Sequence, residues 1–90
     1  MVAALYQEGE TTPIKEGHTG DSLAIILTNT AFHAEGGGQL GDTGRLISDA
    51  GIFDVENTKK LPDGTTIHLG TVESGAFSVG QAVTFEVNLD

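Results

Sequence analysis

Apolar residues along this chain occur in short runs separated by turn signals, and no long segment repeats them at the spacing of an amphipathic helix. The clearest pattern is near the carboxyl end, where Val83, Phe85, Val87 and Leu89 occupy every second position between small or polar residues. A period of two is typical of a β-strand with one apolar face. The last segment is therefore predicted to be a strand.

Two further apolar runs lie in the first third of the chain. Residues 2–6 form the first, and the polar stretch 10–20 after it, broken by Pro13 and Gly17, is predicted to be a loop. Residues 23–27 read Leu-Ala-Ile-Ile-Leu, without a polar interruption. A continuous apolar run of this length is typical of a strand that is buried on both faces.

Turn signals in the second half predict a hairpin and a further turn. The Asp-Ala-Gly sequence at 49–51 separates strand-like runs at 45–48 and 52–55. The Pro-Asp-Gly sequence at 62–64 is a second turn signal, because proline presets φ and glycine tolerates positive φ. It leads into a predicted strand over residues 65–72.

Two shorter turn signals complete the expected architecture. Ser74-Gly75 and Val79-Gly80 are predicted to be turns between the later strands. The chain then contains six or seven short strands and little or no helix. This spacing predicts an all-β fold, a small closed antiparallel β-barrel that forms a single domain over residues 1–90.

Composition and charge narrow the classes of function. The 90 residues include 13 acidic and four basic side chains, for a formal net charge of -9. This charge repels phosphate backbones, so weak or no nucleic-acid binding is expected of the chain alone. Cysteine is absent, which excludes disulfides and thiolate metal ligands. No membrane-spanning segment or signal peptide is expected from the sequence.

The most unusual segment is glycine-rich and covers residues 35–44. Residues 36–41 formally match G-x-G-x-x-G, but a second turn and a strand follow instead of the helix that a dinucleotide site requires. Two interpretations remain open. The glycines bend the chain between strands, or they leave a flat backbone that another molecule or domain can approach closely.

The three histidines give no recognisable metal or catalytic motif. His18, His33 and His68 are spaced too far apart for His-x-x-x-His, so no metal site is predicted. A site assembled in space from His33, Glu35 and Asp42 is a less favoured alternative. No serine has a recognisable nucleophile setting, so no catalytic residue is predicted.

Two of these imidazoles have expected orientations. His68 is predicted to point outward, opposite its apolar neighbours Ile67 and Leu69. The ring of His33 is predicted to pack against the end of a strand.

A family resemblance rests on two stretches. Residues 32–44 read Phe-x-x-Glu-x-Gly-Gly-Gln-x-x-Asp-x-Gly, and residues 28–44 as a whole resemble the glycine-rich signature of alanyl-tRNA synthetases. Residues 68–88 resemble the segment just downstream in those enzymes, and the resemblance covers nearly the whole chain. The chain departs from the family pattern at three positions, with His33 in place of the usual tyrosine, Asn29 in place of aspartate, and Gly36 in place of a frequent serine. The glycine variant at position 36 also occurs in AlaX-type editing proteins.

The resemblance implies a fold and a place in a larger enzyme. In the family this region is a β-barrel of the translation-factor type, and it precedes an editing core that hydrolyses serine or glycine wrongly attached to alanine tRNA. The chain is thus expected to be a fragment of a cytoplasmic alanine–tRNA ligase, inactive by itself. The parent is expected to use ATP with magnesium, and zinc, through domains absent here. Its partners are alanine tRNA and the neighbouring editing and aminoacylation domains.

The resemblance also implies a site without catalytic or metal-binding residues. The glycine-rich loop is expected to lie beside the editing site, with its contacts made by three glycines and a glutamine and its ends fixed by two acids: Gly36, Gly37, Gly38, Gln39, Glu35 and Asp42. Contact with the tRNA end and contact with the editing core remain open. Two alternative functions are the amino-terminal barrel of an AlaX-type trans-editing hydrolase and a non-enzymatic β-barrel binding module.

Overall fold

The computed structural model describes residues 1–36 and 41–88, which form strands and turns without a helix. The all-β prediction is confirmed. The strands are numbered in chain order: β1 (Val2–Gln7), β2 (Pro13–Ile14), β3 (Glu16–His18), β4 (Ser22–Leu27), β5 (Gly44–Ile47), β6 (Gly51–Lys60), β7 (Thr66–Ser78) and β8 (Thr84–Val87). Within these described ranges, no helix has the length and apolar character that spanning a bilayer requires.

The strands form one antiparallel sheet in the order β2-β1-β4-β7-β6-β5-β8, and β3 pairs with the far end of β7. The sheet has two ends, β2 and β8, so the prediction of a closed barrel is not confirmed. Two backbone hydrogen bonds nevertheless join β1 to the segment before β8. The amide of Val2 donates to Gln81 O and the amide of Gly80 donates to Val2 O, both at 2.8 Å.

The prediction of six or seven short strands is wrong in number and in length. The described residues contain eight strands, of which β6 has 10 residues and β7 has 13. Ser74-Gly75 is not a turn but lies inside β7 beside a bulge, and Gly75 has a φ of +73°. The ladder shifts register beside it, between Ile52 and Phe53 of β6. A bulge therefore bends one long strand where the sequence pattern indicates two shorter ones.

The polar stretch 10–20 also differs from expectation, because it contains β2 and β3. Pro13 lies in β2 at the edge of the sheet, where its missing N–H breaks no ladder. Gly17 is buried in β3, and a Cβ at this position would collide with Leu23. These strands are too short and too polar to give a period-two signal.

The predicted hairpin around 49–51 and the predicted turn at 62–64 are confirmed. β5 and β6 pair around the turn at 48–50, and β6 and β7 pair around the turn at 61–65. In the second turn Gly64 has φ +93°, and the amide of Thr65 donates to Asp63 Oδ1 at 2.8 Å. The predicted carboxyl-terminal strand is confirmed as β8, with Phe85 opposite Leu46 of β5.

One face of the sheet carries the core. Buried apolar side chains come from β1, β4, β5, β6 and β7 and from the segment after β4: Val2, Leu5, Leu23, Ile25, Leu27, Phe32, Leu46, Phe53, Val55, Val72 and Phe77. In β4 the alternation is strict, and Ala24 and Ile26 lie on the other face, only half-buried. The prediction that β4 is buried on both faces is therefore wrong for its outer face.

The prediction that His68 points outward is also wrong. Its neighbours Ile67 and Leu69 take the outer face of β7, so strand alternation directs His68 into the core, where it is fully buried. Its Nδ1 lies 2.8 Å from Ile25 O, and its Nε2 lies 2.8 Å from Thr30 Oγ1. Burial lowers the pKa of His68, and the carbonyl of Ile25 opposes that shift.

Candidate functional site

The described residues include two arms of chain, one before and one after positions 37–40. One arm enters after Phe32, and the other leaves from Gly41 towards β5. Two hydrogen bonds of 2.8 Å pair the arms: the His33 amide donates to the side-chain Oδ2 of Asp42, and the Asp42 amide donates to His33 O. The four residues at 37–40 between the arms, which include the predicted contacts Gly37, Gly38 and Gln39, lie outside the described residues.

Asp42 has an electrostatic reason to stay ionised. The backbone amide of His33, and then its ring, whose Nδ1 lies 3.1 Å from Asp42 Oδ2, lower the pKa of this carboxyl. The His33 side chain is otherwise 90% exposed, so the prediction that its ring packs against a strand end is wrong. The carboxylate, rather than the imidazole, fixes this pair of residues.

A second connection between the arms comes from β6. Asn57 Oδ1 accepts from the Gly41 amide at 3.0 Å and from the Thr58 amide at 2.8 Å. Its Nδ2 donates to Glu35 Oε2 at 3.2 Å. One side-chain amide thus binds Glu35 on the entering arm and Gly41 on the leaving arm.

Thr58 adds a third connection from the same strand. Its hydroxyl donates to Asp42 O at 2.8 Å, and its carbonyl accepts from the Glu35 amide at 2.8 Å. Thr58 is fully buried, so these bonds are shielded from water. We call Glu35, Gly41, Asp42, Asn57 and Thr58 the loop clasp.

The strand geometry explains why β6 reaches both arms. The β6–β7 ladder shifts register between Val55 and Asn57, which is the signature of a bulge. Beside it, Gly70 of β7 has no room for a side chain, since a Cβ would collide with the Asp54 carbonyl. Asn57 and Thr58 follow directly after this shift, and both contact the two arms.

Gly41 is required by close approach rather than by its φ. A Cβ on this residue would collide with the carbonyl oxygen of Thr58 and would lie 2.9 Å from Asn57 Oδ1. Any larger residue would therefore separate the leaving arm from β6. This glycine belongs to the structural part of the motif.

The entering arm is also anchored in the core. The amide of Phe32 donates to Thr30 Oγ1 at 3.0 Å, and the same hydroxyl lies against His68 Nε2. The Phe32 ring meets His68 edge-on, with centroids 5.4 Å apart, and meets Phe85 of β8 edge-on at 6.3 Å. The start of the entering arm is therefore fixed by packed aromatic side chains.

The chemistry of the loop clasp is positional. Its polar groups bind each other, and Glu35 turns to Asn57 and, at 3.8 Å, to Lys59 Nζ rather than to His33. The alternative metal site of His33, Glu35 and Asp42 is accordingly not assembled. Within residues 1–36 and 41–88, no group of three or more His, Cys, Asp or Glu side chains is arranged to hold a metal ion.

Sequence reasoning placed the site on the glycine-rich segment and its two acids, and it missed Asn57 and Thr58. The structure brings Glu35 and Asp42 into the loop clasp and places Gly36 just after Glu35, at the end of the described entering arm. The residues missed lie about 15 positions away, in a segment whose only signal is a polar interruption after the apolar run at 52–55.

Comparison with known proteins decides the family. The family model of tRNA synthetases class II (A) matches residues 1–90. The chain belongs to this family. Curated relatives include the alanine–tRNA ligases of Bacillus velezensis, 43% identical over 96% of this chain, and of Nitrobacter winogradskyi, 45% identical over 100% of it. The Bacillus subtilis enzyme is 43% identical over 96% of the chain.

These relatives are much longer than the chain. The match covers 10% of the Bacillus velezensis, Nitrobacter winogradskyi and Bacillus subtilis enzymes. No solved structure gives a significant match. The resemblance to alanyl-tRNA synthetases is confirmed, and the position of the loop clasp beside an editing site stays a prediction.

Proposed function

We propose that the chain is a β-structured part of an alanine–tRNA ligase and that its loop clasp presents the glycine-rich segment to the editing region of that enzyme. The parent enzyme joins alanine to its tRNA with ATP, and the editing region removes amino acids attached in error. The names of the relatives support the ligase activity. They favour the ligase over an AlaX-type hydrolase and over an unrelated binding module.

The observation that carries the editing role is the connectivity of the loop clasp. Asn57 alone binds Glu35, Gly41 and the Thr58 amide. Ordering a loop costs conformational entropy, and fixing both of its ends in the folded protein lowers the cost of binding against it. The loop clasp therefore suits a preorganised contact surface better than a reactive centre.

Cofactors and tRNA belong to other parts of the parent enzyme in this proposal. No described cluster here fits zinc or magnesium, and the net charge of -9 disfavours contact with the tRNA backbone. ATP, the metals and most tRNA contacts are accordingly assigned to the remaining domains. In this proposal the present chain positions the glycine-rich segment and supplies no cofactor ligands.

The test is Asn57→Ala in the full-length ligase. Hydrolysis of serine-charged alanine tRNA should fall at least about tenfold, because a misplacement of about 1 Å costs on the order of 100-fold in positioned reactions. Alanine attachment should stay within about twofold of the unmodified enzyme, since the loop clasp serves editing only. Both rates are measured on enzyme whose thermal midpoint shows it to be folded.

Asn88→Ala is the matched control. Asn88 is an exposed asparagine whose Nδ2 donates to Thr43 Oγ1 at 3.0 Å, next to the leaving arm but outside the loop clasp. It should leave both rates unchanged. Equal loss of the two activities in folded Asn57→Ala enzyme, or unchanged deacylation, would contradict the proposed role.

A further inference from the structure

A second surface lies on the outer face of the sheet, away from the core. An open groove of about 340 Å³ crosses β1, β4 and β7. Apolar side chains form its floor and one wall, and the segment after β1 forms its rim: Tyr6, Ala24, Ile26, Leu61, Ile67 and Leu69, with Gly9, Glu10 and Thr11. We call this set the outer groove.

Strand register explains the floor of the outer groove. Tyr6 of β1 lies opposite Ala24 of β4, which in turn lies opposite Leu69 of β7. All three are half-buried, and the residue that precedes each of them along its strand is fully buried in the core. Leu61, at the wall, is 39% exposed. The floor is thus an apolar row that continues across three strands.

The apolar character is local to this part of the outer face. Further along β7 the outward positions become polar, with Thr71 and then Glu73. On β6, Asp54 lies opposite Thr71 and is exposed. The solvent-facing side of an antiparallel sheet is commonly polar, as this end is. The change within one strand marks the outer groove as a contact surface.

We propose that the outer groove is the docking surface for another segment of the same, longer ligase polypeptide, one that carries apolar side chains beside lysine or arginine. The relatives that match this chain are about ten times its length, and under the proposed function, on which this inference rests, each ligase molecule contains the candidate partner covalently. Covalent connection raises the effective concentration of such a segment to the millimolar range. This inference is independent of the editing role of the loop clasp.

Charge selects the occupant. The rim contributes the Glu10 carboxylate, Glu8 next to it is exposed, and the chain has a net charge of -9. A second copy of the chain, an anionic lipid surface or a nucleic acid would be repelled. A segment with basic residues beside its apolar anchor is attracted, and it buries Ile26 and Ile67.

The lining also disfavours a small molecule. Specific ligand sites combine an apolar pocket with several convergent polar groups. The outer groove offers side-chain polar atoms only from Tyr6, Glu10 and Thr11 among the residues that line it. Apolar side chains from a polypeptide need no more than that, because their main-chain groups can bind elsewhere.

The test uses photocrosslinking in the full-length ligase. Benzoylphenylalanine replaces Leu61, which is already exposed at the wall, and in a second variant it replaces Ile67 on the floor. Glu73, an exposed residue on the same face of β7, is the control position. Mass spectrometry should find crosslinks within one polypeptide, at least fivefold above the Glu73 control, to a peptide with apolar residues next to lysine or arginine.

A charge reversal tests the selection of the occupant. Glu10→Lys should lower the crosslink yield from Leu61 severalfold, whereas reversal of the remote Glu73 should leave it unchanged. An unchanged yield with Glu10→Lys would overturn the basic character of the partner. Crosslinks mainly between two ligase copies, or yields from both positions no higher than from Glu73, would overturn the docking proposal itself. If the Leu61 variant does not fold, the crosslink yield from the Ile67 variant decides between these outcomes.

Discussion

The loop clasp and the outer groove are both built on the β6–β7 hairpin and its neighbours, but they differ in how far their side chains are bound or covered by the rest of the chain. In the loop clasp, Asn57 and Thr58 bind groups from their own chain. In the outer groove, Ile26, Ile67 and Leu69 are left half-buried. The polar groups of the loop clasp are bound within the chain, whereas the described residues leave these side chains of the outer groove partly uncovered.

The difference separates two uses of a surface. Polar groups that bind each other hold a shape and have little left to attract a ligand. Apolar area that stays half-exposed gains free energy, at roughly 25 cal/mol per Å², only when something covers it. We therefore read the loop clasp as a positioning device and the outer groove as a docking surface.

The largest expected effect compares adjacent residues of β4. Ile25→Ala removes a fully buried side chain from the core and should cost about 2–5 kcal/mol in unfolding free energy. Ile26→Ala removes the same atoms from the half-buried outer groove and should cost less than about 1 kcal/mol in the 90-residue chain. Urea unfolding measures both, and equal costs would show that the outer groove is already filled within the chain.

The next effect compares two threonines of β6 and β7. Thr58→Val keeps the shape but leaves the Asp42 carbonyl without its buried donor, which should cost about 1–3 kcal/mol. Thr71→Val removes a hydroxyl that reaches Glu56 Oε1 at 3.4 Å on the outer face and should change stability by less than about 0.5 kcal/mol. Thermal or urea unfolding of both variants gives the ratio. A neutral Thr58→Val would mean that the bond from the Thr58 hydroxyl to Asp42 O adds no stability.

The sequence predicts the local structure of this chain better than its long-range pairing. The hairpins around 49–51 and 62–64 and the strand containing Phe85 follow from turn chemistry and a period of two. The bulge at Gly75 was not predictable, because a glycine that bends a strand and a glycine that ends one look alike in sequence. Sheet closure depends on pairing between distant strands, which no local pattern records.

The candidate site was predictable only in part, for a similar reason. The glycine-rich signature marks the loop and the acids Glu35 and Asp42. Asn57 and Thr58 join them next to a bulge in β6, and the pattern of apolar and polar residues in this strand gives no sign of that bulge. His68 shows the other limit, since a histidine between two apolar residues fits either face of a strand until its hydrogen-bond partners are known.

A pH effect tests the core beneath the outer groove. Burial lowers the pKa of His68 below its ordinary value of 6.5, so the unfolded chain binds this proton more readily than the folded chain. The contribution of neutral His68 to the unfolding free energy should therefore be fully present above pH 6.5. The unfolding free energy should fall as the pH drops below that value, by no more than about 1.4 kcal/mol per pH unit for one proton. Asp42 has a pKa lowered from 3.8, so its contribution is lost only in more acidic solution.

Urea unfolding between pH 8 and pH 5 measures this slope. His68→Asn should flatten it while lowering stability at pH 8, because the bonds to Ile25 O and Thr30 Oγ1 are altered. The same slope in the variant and in the unmodified chain would assign the titration to another group. The outer groove should not contribute, since its floor is apolar.

The smallest effect concerns the lysine–carboxylate pair at the loop clasp. Lys59 Nζ lies 3.8 Å from Glu35 Oε1, and the two side chains are 47% and 36% exposed. Exposed pairs contribute about 0–1 kcal/mol, so Lys59→Met should change the unfolding free energy by less than about 0.5 kcal/mol. Salt at 1 M should remove even that difference, because it screens exposed charges within about 3 Å.

The bond from Asn57 Nδ2 to Glu35 is independent of Lys59, so deacylation by the full-length Lys59→Met ligase should stay within about twofold. A tenfold loss of deacylation in this variant would mean that charge, rather than the hydrogen bonds of Asn57 and Thr58, holds the entering arm in place.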